Sequence, residues 1–243
     1  MAMRCVAGAR AILISVAATA GPRDAQPANE QVNLEAAADQ LDLRKMSTAS
    51  IDVPAELPAQ WAFEVDLNGQ SMQVNLARHS LRADGFRVRT ANGNGAPDEV
   101  SSPPVRTYRG HVAGLPDSRV AASIMSNGLR ASITLPQAGM WHIQPLDGVV
   151  NADGLDASMH AVYRHADIEP GDWTCGVDNQ PGGGAATGGA PRGAANPELT
   201  LIAYDADVEF YEANGSSVSG SVADIESITN AMNMIYQSEV SIA

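Results

Sequence analysis

Two Asn-Gly dipeptides, Asn68-Gly69 and Asn127-Gly128, each sit between runs in which apolar and polar residues alternate. Before the first, Trp61, Phe63, Val65 and Leu67 alternate with Ala62, Glu64 and Asp66; after it come Met72, Val74 and Leu76. Around the second, Val120, Ala122 and Ile124 lead in, and Leu129, Ala131, Ile133 and Leu135 lead out. A period of two places alternate side chains on opposite faces of a strand, and Asn-Gly tolerates the positive φ angles of a tight hairpin turn. The pattern predicts two antiparallel hairpins turning their apolar residues to one buried face, with Trp141 and Ile143 on a further strand behind Gly139.

The remaining chain divides by composition. The stretch Ala11–Ala20 is apolar, follows Arg4 and Arg10, and ends in Ala18-Thr19-Ala20. This is the layout of an export signal spanning residues 1–20, with cleavage giving a mature N-terminus at Gly21. The run is too short to cross a bilayer. Residues 21–56 are polar and Ala-rich, with a short helix expected near Val32–Leu43 and few strand signals. The β-rich core is expected over 57–165. Residues 181–197 hold six glycines and little to bury, which predicts a flexible tether.

From residue 198 the style changes. Leu199–Val208 reads as a strand and Asn214–Ser217 as a turn. A helix is expected from Ser221, with Ser221 as its cap and Asp224 reaching back. Val222, Ile225, Ile228, Met232 and Ile235 recur at helical spacing, so they form the stripe expected to be buried. Val240–Ile242 begins another strand. One strand, one helix and a strand start cannot enclose a core. Residues 57–165 are therefore expected to fold by themselves and 198–243 not to.

With 15 Lys+Arg against 28 Asp+Glu the net charge is −13, and −15 after removal of Arg4 and Arg10 with the signal. So acidic a chain is repelled by phosphate backbones and anionic lipid, which argues against nucleic-acid or membrane partners. Cleavage would also remove Cys5, leaving Cys175 without an internal disulfide partner in an exported protein.

Within residues 107–148, Tyr108/Gly110, Gly114/Pro116/Ser118/Val120, Gly128/Leu129 and Trp141/Ile143/Pro145/Leu146 follow one another in that order. In this order they resemble the propeptide of reprolysin-type (ADAM-like) zinc metallopeptidase precursors, and residues 205–243 form a second similar segment. The second resembles the first strand and helix of its catalytic domain. The resemblance implies an α+β chain. A β-rich antiparallel propeptide domain (21–180) would be joined by the linker (181–197) to the start of an α/β metzincin-like catalytic domain (198–243). It also implies a secreted or periplasmic zymogen whose partners are its own or a related catalytic domain and, in the full-length enzyme, protein substrates.

In such zymogens a propeptide Cys-Gly, here Cys175-Gly176, supplies an inhibitory thiolate to the catalytic zinc. A zinc site with three protein ligands keeps one position for water, and a thiolate there displaces the nucleophile. Gly176 would let the backbone approach the metal closely.

The family's zinc signature H-E-x-x-H-x-x-G-x-x-H is absent. His79, His111, His142, His160 and His165 all precede the linker and none is followed by Glu. His160 and His165 are five apart, not the four of a helical zinc pair. The zinc would lie beyond Ala243, no catalytic residue is assigned, and the chain as it stands is expected to be inactive. Asp205, Asp207 and Glu209 would share one strand face, where calcium is weighed against a solvated acidic face. Ser118 and Ser123 near His111 read as turn residues. The alternative to a zymogen is a free-standing exported β-rich binding or inhibitory module, or an inactive truncated product.

Overall fold

A computed structural model describes residues 13–16, 28–91, 93, 95–149, 155–171 and 199–239. The expected signal cleavage point, Cys175 with Gly176, the glycine tether and the strand start at 240–242 lie outside them.

The architecture is mixed α+β. The strands are β1 (Leu13–Val16), β2 (Lys45–Ser50), β3 (Gln60–Leu67), β4 (Gln70–Arg78), β5 (Val88–Thr90), β6 (Asp98–Val100), β7 (Thr107–Val112), β8 (Leu115–Met125), β9 (Gly128–Leu135), β10 (Gly139–Pro145) and β11 (Met159–Arg164). Nine of them form one sheet in the order β1-β2-β11-β10-β9-β8-β7-β4-β3, while β5 and β6 pair separately. All pairings in the large sheet are antiparallel except β1 with β2. The helices are α1 (Ala28–Gln40), α2 (Val208–Ala213) and α3 (Val218–Glu239).

The sheet curls around one core. Phe63, Val65 and Leu67 on the β3 edge share that core with Ile133, Ile143 and Val162 from the far strands. The Arg164 guanidinium at the end of β11 donates to the Asn68 side-chain oxygen in the β3–β4 turn, 2.6 Å away. A smaller core lies between α1 and the sheet, where Leu34, Ala37 and Ala38 meet Met46, Leu146 and Ala161.

The first hairpin forms as its sequence predicts: Leu67 pairs with Gln70 around Asn68 (φ 62°) and Gly69 (φ 79°). The second is shifted by one residue. Met125 pairs with Gly128, so Ser126-Asn127 make the turn and Gly128 opens β9. Gly128 answers a packing demand instead: a Cβ there would stand 2.8 Å from the His160 ring and 2.9 Å from Pro145, at a φ of 137°.

Three other expectations change. Residues 21–56 contribute β2, which lies inside the sheet beside β11. Its sequence, KMSTAS, hides the strand because its inward positions are Met46 and Thr48, and the Ser47 hydroxyl donates to the Val162 carbonyl. Leu13–Val16, within the apolar part of the expected signal, adds to β2 as a parallel edge strand. Leu199–Val208 is not a strand. Leu199, Leu201, Ile202 and Tyr204 are exposed, no strand among the described residues pairs with this segment, and Asp207 instead caps α2 by accepting from the Phe210 amide. The three acidic residues thus share no strand face, since Glu209 lies within α2.

Candidate functional site

Strand β8 is buried on both sides. Val120, Ala122 and Ile124 enter the main core, while Ala121 and Ser123, on the opposite face, are buried as well. What covers that second face is α3, which packs on β8 and touches β7 and β9.

Helix α3 starts one turn earlier than its sequence suggests. Ser217, not Ser221, caps it: the Ser217 hydroxyl accepts from the Gly220 amide at 3.2 Å, and the Ser221 hydroxyl donates back to the Ser217 carbonyl. The helix also turns the other way round. Its buried positions are Ser221, Ala223, Glu226, Asn230 and Met234, the last four spaced three and four apart. Of the predicted stripe, Val222 and Ile225 are half-buried, whereas Ile228 is 50% exposed and Met232 37%, with Ile235 and the neighbouring Tyr236 also on the exposed side. The mainly polar face is inside and the apolar face is out.

The sheet explains this reversal through the groups it presents. Asn230, 1% exposed, donates from its one amide nitrogen to the carbonyls of Tyr108 (3.1 Å) and Ala122 (3.0 Å). Those two residues face each other across β7 and β8, so a single side chain bridges the strands. Glu226 accepts from Arg82 at 2.5 and 3.3 Å with both side chains largely buried, and Phe86 lies 4.7 Å beneath the Arg82 guanidinium. Asp224 accepts from Arg130 of β9 and from Asn214. Arg109, on the same face of β7, has one guanidinium nitrogen buried without a partner among the described residues. Burial lowers its pKa to about 10, which still leaves it charged at neutral pH. Asp224 is therefore a docking residue and not the capping residue its position suggests.

The histidines sort by environment. His160 is fully buried and structural: its Nδ1 faces the Ser158 carbonyl at 2.6 Å, and its Nε2 accepts from the Leu129 amide at 2.9 Å. Burial lowers its pKa. His165 meets His142, not His160, with 3.2 Å between Nδ1 and Nε2, and the other His142 nitrogen lies 3.1 Å from the Ser132 hydroxyl. Burial first, and His165 second, lower the His142 pKa to about 4. His79 is lowered too, by burial and by Arg109, and His111 is exposed. Ser118 serves the β7–β8 connection, accepting from the Val112 amide and donating to the Leu115 carbonyl. Ser123 is buried in β8 opposite Thr107.

Among the described residues no three of His, Cys, Asp and Glu gather to hold a metal ion. No helix among them is long and apolar enough to cross a membrane. The motif residues that carry the family resemblance have structural duties here. Tyr108 is buried and donates to the Pro58 carbonyl at 3.0 Å. A Cβ on Gly110 would lie 1.9 Å from the Asn75 carbonyl oxygen. No protein-family model matches the chain, and no curated protein matches it significantly.

Proposed function

We propose that the chain is the N-terminal part of a secreted reprolysin-like zinc metalloendopeptidase zymogen: a β-rich propeptide, a tether, and the first elements of the catalytic domain. The reading rests on the ordered motifs from Tyr108 to Leu146. The structural observation that supports it is the orientation of α3. A helix that gives its polar face to the sheet and leaves Ile228, Met232 and Tyr236 outward suits an element whose apolar partner is a further body of protein. An apolar helix stripe in solvent is otherwise unfavourable. The catalytic zinc belongs to that further body, and Cys175 is its inhibitory ligand. The motif residues of β7–β10 hold the sheet together and are not themselves catalytic.

The test adds the purified chain to a reprolysin-type catalytic domain and follows cleavage of a quenched peptide. Inhibition that weakens strongly with Cys175→Ser is the expected result, because a neutral hydroxyl is a far poorer zinc ligand than a thiolate. A wild-type thiol that alkylates freely in the inhibited mixture would defeat the Cys175 role, and absence of inhibition would defeat the zymogen reading. The docked α3 also favours a second reading, a free-standing β-rich inhibitory or binding module, since the C-terminal region is then already folded onto the sheet. That module would lack any effect on the peptidase.

A further inference from the structure

The outer face of β7–β9 is built to receive one particular helix. It offers Arg109 and Arg130, with Arg82 beside it on the connection between β4 and β5, three cations on a chain whose net charge is −13. Helix α3 has Asp224, Glu226 and Glu239 and no basic residue. Two of its acids meet two of those arginines. Between them Asn230 reaches two main-chain carbonyls on adjacent strands, a contact that depends on the helix having the correct register and rotation. A slip of one residue would move the amide by about 100° around the helix and break both hydrogen bonds.

No described residue lies between Gly171 and Leu199, and every contact just named is non-covalent. We propose that this face is a specific helix-docking surface that keeps residues 199–239 bound to the sheet after the chain is cut within 181–197. Its preferred partner is a helix with two acids and an amide at the spacing of Asp224, Glu226 and Asn230. Cleavage of the tether alone then does not separate the two parts. This holds whether or not the chain belongs to a peptidase precursor, because it invokes neither zinc nor Cys175.

The test inserts a site for a sequence-specific protease within 181–197 of the full chain, in a Cys175→Ser background, and cuts it to completion. The nicked protein is then passed over a size-exclusion column at micromolar concentration. Co-elution of the two fragments is the expected result. Asn230→Ala should weaken their association about 10- to 100-fold, since it removes both hydrogen bonds and the packing of a buried side chain. Glu226→Arg should separate the fragments, and the paired change Arg82→Glu with Glu226→Arg should restore co-elution. Far-UV circular dichroism checks that the sheet persists in each variant. Fragments that separate in the unsubstituted nicked protein overturn the proposal, as does association indifferent to both Asn230→Ala and Glu226→Arg.

Discussion

Acid should loosen this fold well before its carboxylates are protonated, and His142 gives a measurable share of the effect. In the native state the ring is half-buried between Ser132, Tyr163 and His165, and its pKa falls from 6.5 to about 4. In the unfolded chain it titrates at its ordinary value. As pH drops through that value the unfolded chain gains a proton that the native ring does not take until about pH 4. The unfolded state therefore binds more protons across this window, and stability falls as pH falls. A fully sealed ring would lose about 3 kcal/mol over the interval, and partial solvent access reduces this to about 1–2 kcal/mol. The assay is urea unfolding of wild type and His142→Gln at about pH 7.5 and about pH 4.5. Glutamine keeps a polar group near Ser132 but cannot titrate, so wild type should lose about 1–2 kcal/mol more than the variant on acidification. Equal losses in the two proteins would refute a neutral, desolvated His142.

Gly110→Ala should destabilise the sheet by about 2 kcal/mol or more, read as a lower urea midpoint, because the new methyl meets the Asn75 backbone at 1.9 Å. His160→Ala should cost about 2–4 kcal/mol by the same measure, since it opens a cavity and leaves the Leu129 amide without its acceptor. Removal of residues 1–20 should change the midpoint little, because β1 contributes only one edge pairing; intact mass of exported protein should begin at Gly21. Hydrogen exchange should show protected amides in α3 as well as in β7–β9, and fast exchange throughout α3 would contradict its docking on the sheet.

The hairpin strands were legible because both hairpins fill one core through strict alternation, and their turns are local. Inward positions such as Phe63, Val74, Ile133 and Ile143 could be read directly from the sequence. Strand β2 was not legible, since its burial depends on α1 and β11 and not on its own hydrophobicity. The rotation of α3 was misread for a related reason. Periodicity locates an apolar stripe but not the surface that awaits it, and here that surface carries arginines and main-chain carbonyls that take a side-chain amide. The polar spacing of Glu226 and Asn230 with Met234 was present in the sequence as a second stripe. Only the geometry of β7 and β8 shows that it is the buried one. The pairing of His142 with His165 likewise arises from the register of β10 against β11, which no local motif encodes.

The Asn230 bridge joins residues 108 and 122 positions apart in the chain, and that separation bears on the order in which the molecule assembles. Closing a loop of this length costs conformational entropy before any contact offsets it. The hairpins, whose partners are near neighbours, form without that cost. The two carbonyls that Asn230 needs are brought side by side only when β7 and β8 have paired. The helix can thus seat only on a finished sheet, and it acts as a late check on strand register. A molecule with β7 and β8 misaligned would leave α3 unseated, with its acids and its arginines all in water.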